Sequence, residues 1–253
     1  MQTSVEEILG RHQKRASLGT LSDSVITDYI VCPAKSFINQ YSGKKSPRQT
    51  ARDRFYPMLA EISMMLLNGN KPEDPDQLVS DITVKAFGDL EYWKKEIDLK
   101  AVHSMFTNFV RMIQRDEYEV SSLSRKFKVE YGGTWVESQI DLSIKDRKGK
   151  INPTAVDFSN TKYDNFYNPI LYKCQLIGEY LNTLGTNTSI MVLSICAGKQ
   201  WTYDQNRYDK LMTASIKEYI EMIKQDLWPA RIGWWCAGCF YRGICHRLIE
   251  KPQ

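Results

Sequence analysis

Lys126-Phe-Lys-Val-Glu-Tyr131-Gly-Gly-Thr134 is where the chain changes texture, and the stretch from there to Ser159 decides its fold. Lys126–Tyr131 alternates polar and apolar residues, Gly132-Gly133 turns, and Thr134–Lys145 alternates again. Asp146-Arg-Lys-Gly-Lys150 makes a second turn and Thr154–Ser159 a third strand. Period-two alternation bounded by glycine-containing turns predicts an antiparallel meander. Within it, alternation sets Ile140, Leu142 and Ile144 on one face, and Asp141 and Ser143 on the other. Val156 and Phe158 likewise share a face, opposite Asp157 and Ser159. A short turn joins the two strands, so both aspartates can open on one face. Close carboxylates repel unless a positive charge sits between them, and a divalent cation with oxygen ligands resolves this. Two surface aspartates on a hairpin would give the same pattern.

Downstream, Asn168 as cap, Pro169 at the first position and Gly185 after the end delimit a helix. Its apolar stripe is Ile170, Leu171, Cys174, Ile177, Leu181 and Leu184; Tyr172, Gln175 and Glu179 form a polar stripe that could border the acidic pair. Ser189–Cys196 reads as a buried strand, Gln200–Tyr203 as a short one, and Asn206–Leu227 as an amphipathic helix. Upstream, the chain reads as helices: Ser4–Arg15, a short one from Cys32-Pro33, Ala51–Leu67 interrupted by Pro57, and Gln77–Arg125 with Leu90–Glu117 the longest candidate. Asn68–Asp76 is a break. The order predicts one α/β domain over residues 1–253: a helical portion (22–125), a mixed-sheet core (126–205), and a helix with a cysteine cluster (206–253).

That cluster is Trp234-Trp-Cys236-Ala-Gly-Cys239-Phe-Tyr-Arg-Gly-Ile-Cys245, and Cys32 in Val31-Cys-Pro-Ala is the natural fourth member. Three thiols at Cys-x2-Cys-x5-Cys spacing can fold around a metal centre. Cys174 and Cys196 sit among apolar neighbours and read as core filler. Met1–Leu21 has no apolar segment of signal-peptide kind, so a reducing compartment favours metal over disulfide. The residues leave zinc and iron–sulfur both open. The expected location is cytoplasmic, or the host cytoplasm for a viral chain. No apolar run approaches the ~20 residues of a membrane span.

The 253 residues carry 42% hydrophobic residues, enough for a core, and a formal net charge of only +4, so nucleic-acid affinity needs local clustering. One cluster exists: Lys44, Lys45, Arg48, Arg52 and Arg54. A solvated loop and first helical turn is the plainer account of it.

The early Cys-Pro, the Ile-Asp141 strand, the Val-Asp157-Phe strand, the helix carrying Gln175 and the terminal cysteine run occur in a telling order. In that order the chain resembles the RecB-like branch of the PD-(D/E)XK nucleases, and within it the iron–sulfur members: the CRISPR adaptation exonucleases and the nuclease domain of AddB-type helicase–nucleases. The resemblance runs from Ser22 to about Arg247, with Asn68–Arg125 matching only as generic helix. It implies a restriction-endonuclease-like core and a 4Fe–4S cluster on Cys32, Cys236, Cys239 and Cys245. It also implies Mg²⁺ or Mn²⁺ on Asp141 and Asp157, and Gln175 lining a DNA channel. Three positions depart from the pattern. Ser159 stands where the family has lysine, leaving Lys162 as a displaced substitute; Tyr56 occupies the place of a metal-binding histidine; and Glu179, with Tyr180 next, stands where a tyrosine is expected.

Two functions compete on this basis. One is a Mg²⁺- or Mn²⁺-dependent DNA nuclease acting on single strands or duplex ends. The other is a catalytically inactive nuclease fold that serves as a DNA-binding or scaffold subunit of a larger complex, with the basic loop, Trp234 and Trp235 in contact. A zinc-stapled domain that binds only protein is a third reading, outside the family.

Overall fold

A computed structural model describes residues 19–41, 47–67, 71–159, 168–186, 188–231, 236, 239, 241 and 245, with backbone alone at residues 47–49 and 52. The helix expected over Ser4–Arg15, the residues Lys44, Lys45, Lys162, Trp234 and Trp235, and the side chains of Arg48 and Arg52 lie outside these residues. The chain forms an α/β protein of two compact units, Met1–Ser46 with Lys128–Ser138 and Tyr208–Gln253, and Pro47–Phe127 with Gln139–Arg207.

The first unit holds β1 (Thr20–Ser22), α1 (Asp23–Val31) and α2 (Pro33–Tyr41). It also holds most of β3 (Arg125–Tyr131), β4 (Thr134–Ile140) and α8 (Gln205–Lys224). Its sheet runs β1-β4-β3, with β1 parallel to β4. Gly132 and Gly133, at φ 54° and 78°, both need the left-handed region that a two-residue hairpin turn demands. Tyr29 is fully buried; its hydroxyl donates to the Leu227 carbonyl at 2.6 Å, and its ring packs on Tyr219 and Trp228. Cys32 ends α1, its N–H donating to the Asp28 carbonyl, and Pro33 opens α2.

The second unit begins with α3 (Pro47–Met65), α4 (Pro75–Phe87), α5 (Leu90–Glu96) and α6 (Leu99–Arg115). Then come β2 (Glu119–Ser122), β5 (Leu142–Lys145), β6 (Ile151–Asp157), α7 (Pro169–Thr183), β7 (Ile190–Ser194) and β8 (Lys199–Tyr203). Its sheet has the order β2-β5-β6-β7-β8. Only β6 and β7 are parallel, joined through α7; the other pairs are antiparallel. Phe106, Phe109 and Ile62 from the helices meet Leu142, Ile144, Val156 and Leu193 from the sheet in one core.

Three expectations are corrected. The helix expected over Leu90–Glu117 is two, because Asp98 caps α6 by accepting from the N–H groups of Lys100 and Ala101. Residues 119–122, expected helical, are strand β2. Thr134–Lys145, expected as one strand of a meander, breaks at Asp141: β4 belongs to the first sheet and β5 to the second. The break shows in the hydrogen bonds. The Asp141 N–H still donates to the Thr154 carbonyl at 3.1 Å, but the next donor on β6, the Val156 N–H, is taken by the Asp141 carboxylate at 2.7 Å. A side chain thus replaces a ladder carbonyl where the strand leaves its neighbour.

Candidate functional site

Asp157 ends β6 and lies in register with Ser194, which ends the parallel strand β7. Ligand sites in α/β sheets favour this location, the carboxyl ends of parallel strands. The two expected acids are buried there, Asp141 at 2% and Asp157 at 4% exposure. Asp157 Oδ1 accepts from the Ser159 N–H at 2.8 Å and the Ser159 hydroxyl at 2.7 Å, and Ser194 Oγ stands 3.4 Å from Oδ2. Ser159, which stands where the nucleases have lysine, therefore fixes the orientation of Asp157.

The positive charge comes from elsewhere. Lys173, one turn into α7 and 6% exposed, donates from Nζ to Asp141 Oδ1 at 2.5 Å. Gln139 donates to the same oxygen at 3.1 Å. Lys173 Nζ also donates to the Tyr56 hydroxyl at 3.0 Å and lies 5.0 Å from the centroid of that ring. Tyr56 in turn meets Phe158 edge-on, ring centroids 5.1 Å apart. Lys173 is not among the site residues expected from sequence, yet a signal is there. Ile170, Leu176 and Ile177 lie three and four residues from it on the same helix face. Lysine is almost never fully buried unless paired, so a lysine on an apolar stripe announces a buried acid.

Cys174, next to Lys173, is fully buried, and burial pushes its thiol far up. Lys173 pulls it down, and Asp141 and Asp157 push it further up. The Asp141 carboxylate accepts from the N–H of Val156, the residue before Asp157, which keeps the two acids neighbours. The two carboxylates with the Ser159 and Ser194 hydroxyls are the oxygen type of donor that a hard divalent cation takes, while each Asp141 oxygen already accepts from nitrogen, Oδ1 from Lys173 and Gln139 and Oδ2 from Val156.

Gln175 lies on another path. It is fully buried; its amide oxygen accepts from the Tyr203 hydroxyl at 2.7 Å, and its NH₂ donates to Glu179 at 3.2 Å. The helix buries every side chain from Ile170 to Gly178, so the expected polar stripe of Tyr172 and Gln175 faces protein. Gln175→Leu is expected to cost ~1–3 kcal/mol in urea unfolding, because the Tyr203 hydroxyl loses its acceptor. Adding Tyr203→Phe should recover most of that. A single variant as stable as wild type would rule out this account.

Of the basic cluster, the Arg54 side chain is described. Its guanidinium donates to the Ala86 carbonyl and lies 4.8 Å from the Trp93 ring centroid and 5.5 Å from that of Phe87. It works as an internal staple between α3 and the end of α4.

The four clustered cysteines all belong to the first unit, and none of them is in a disulfide among the described residues. Burial pushes the Cys245 thiol up, and Cys32, Cys239 and Cys236 each push it further. The Cys239 N–H donates to the Cys236 carbonyl at 3.3 Å, and the Cys245 N–H to the Tyr241 carbonyl at 2.8 Å. Among the described residues no group of three or more His, Cys, Asp or Glu is drawn up to hold a metal ion. The three cysteines that act on Cys245 are nevertheless the ones the sequence groups with it, and thiolate sulfur is a donor that a metal centre takes. No described helix is long and apolar enough to cross a membrane.

No family model matches the chain, and no curated protein does. Among solved structures, the crystal structure of SSO0001 is similar at 14% identity, over 95% of this chain and 92% of that one, with a TM-score of 0.37.

Proposed function

From this arrangement of an acid pair at the sheet and a lysine on the helix α7, we propose that the chain is a Mg²⁺- or Mn²⁺-dependent DNA phosphodiesterase. It would be of RecB-like PD-(D/E)XK type, with a 4Fe–4S cluster on Cys32, Cys236, Cys239 and Cys245. The observation that carries this reading is Lys173 Nζ at 2.5 Å from Asp141, whose carboxylate also accepts from Val156, the neighbour of Asp157. The strand motif lacks its lysine at Ser159, and an ammonium reaches the acids from the helix instead. Asp141 and Asp157 would hold the cation, which supplies Lewis-acid polarisation of the phosphate and an acidified water. Lys173 keeps a positive charge where charge builds on the phosphate oxygens. Ser159 and the Val156 N–H hold the two carboxylates in fixed orientations.

One observation favours the inactive reading. Asp141 already accepts from Val156, Gln139 and Lys173, and in a silent fold Lys173 would be its structural counter-ion. The two readings separate in one assay: purified protein with labelled single- and double-stranded DNA and Mn²⁺, beside Asp141→Ala/Asp157→Ala. Cleavage by wild type alone supports the hydrolase. Cleavage shared by the double variant is contamination and counts against it. Retained binding with no cleavage selects the inactive subunit.

A further inference from the structure

A cleft of about 440 Å³ in the second unit is lined by Asp116, Tyr118, Asp146, Arg147, Lys148 and Gln200. That volume suits a small organic ligand. The cleft lies on the other face of the sheet from the acid pair. Gln200 pairs with Leu193 and Leu193 with Val156, so these three share a face, and Asp157, next to Val156, points to the opposite one.

Most of the charge in the lining is already engaged. Arg115 donates to both oxygens of Asp116, at 2.9 and 2.8 Å. Asp146 Oδ1 accepts from the Lys148 and Lys150 N–H groups at 2.9 and 3.0 Å. Arg147 donates to the Asp116 carbonyl and stands 3.3 Å from the Glu117 carboxylate. Three side-chain groups of the lining make no hydrogen bond or ion pair among the described residues: the Lys148 ammonium, the Tyr118 hydroxyl and the Gln200 carboxamide. The turn fixes the backbone that carries Lys148, because Gly149 adopts φ 79° and its N–H donates to the Asp146 carbonyl at 2.9 Å.

Those free groups specify a ligand. A single unpaired ammonium suits a single phosphoryl group. Tyr118 packs against the core while lining the cleft, and its ring offers a wall for a flat base. The carboxamide of Gln200 can both donate to and accept from a base edge. A nucleic-acid strand carries a charge at every nucleotide and would meet no second unpaired cation among these lining residues. We propose that the cleft is a mononucleotide site, in which Lys148 Nζ takes the phosphoryl group, Tyr118 the face of the base and Gln200 its edge. Because the acids face the other side of the sheet, this assignment holds whether or not the chain cleaves DNA.

The test is calorimetric titration of the full chain with deoxyadenosine monophosphate, without added divalent cation, beside Lys148→Ala, Lys148→Arg and Gln200→Ala. Lys148 and Gln200 are exposed and their side chains bond nothing among the described residues, so every variant should keep the wild-type melting temperature. Expected are a wild-type Kd below about 1 mM, a rise of about tenfold in Lys148→Ala, and a smaller rise in Gln200→Ala. Lys148→Arg should keep most of the affinity. Deoxyadenosine, with no phosphoryl group, should bind about tenfold more weakly and lose nothing further in Lys148→Ala. Absence of nucleotide binding at about 1 mM would overturn the proposal. So would a Lys148→Ala Kd equal to wild type, or a lowered melting temperature in that variant. Inorganic phosphate binding as tightly as the nucleotide would reduce the cleft to an anion site and overturn the nucleotide assignment. A single-stranded oligonucleotide that binds through Lys148 where the mononucleotide does not would overturn it in favour of a strand.

Discussion

Lys173→Met is expected to abolish Mn²⁺-dependent DNA cleavage and to destabilise the protein by about 3–5 kcal/mol, the cost of leaving a buried carboxylate without its counter-charge. The stability loss follows from geometry alone: Asp141 and Lys173 are 2% and 6% exposed and 2.5 Å apart. Adding Asp141→Asn should return most of that stability, because asparagine keeps an acceptor for the Val156 N–H without the charge. Activity should stay lost in the double variant. The pair of measurements, urea unfolding and single-turnover cleavage, separates the two roles of the lysine. Lost stability with unaltered cleavage would leave Lys173 a counter-ion and return the lysine question to Lys162. Unaltered stability would contradict the buried pair itself.

The second large effect lies at the cysteines. Cys32→Ser and Cys239→Ser are expected to cost the same, roughly 2.5–4 kcal/mol each. That is one ligand's share of the ~10–16 kcal/mol that structural thiolate–metal sites contribute to folding. Both should also lose the visible absorbance of thiolate-bound iron–sulfur in anaerobically prepared protein. The basis is the effect on Cys245 of Cys32, from between α1 and α2, and of Cys236 and Cys239, each of which pushes its thiol up. Colourless wild-type protein with stoichiometric zinc would keep the staple and replace its metal. A Cys32→Ser variant as stable as wild type would remove Cys32 from the ligand set.

Local chemistry wrote much of this protein into its sequence. Asn168 and Pro169 start α7, and the Asn168 side chain accepts from the Ile170 N–H. Gly132-Gly133 turns β3 into β4, and Cys-x2-Cys-x5-Cys sets three thiols within ten residues. Each of these depends on neighbours a few residues away, so periodicity and spacing suffice to read them. Asp141 and Asp157 were also legible as a pair, because a short hairpin joins their strands.

Tertiary structure decided the rest. Alternation runs unbroken through Asp141, so nothing in it tells that β4 and β5 join different sheets; that depends on which distant strand each one pairs with. A helix buried on every side has no polar face from which to read a site, and α7 therefore hid both the interior bond of Gln175 and the aim of Lys173. Lys173 meets an acid 32 positions away and a tyrosine 117 positions away. Sequence supplied the charges, but only the crossing of α7 behind β6 and β7 decided which lysine compensates which carboxylate.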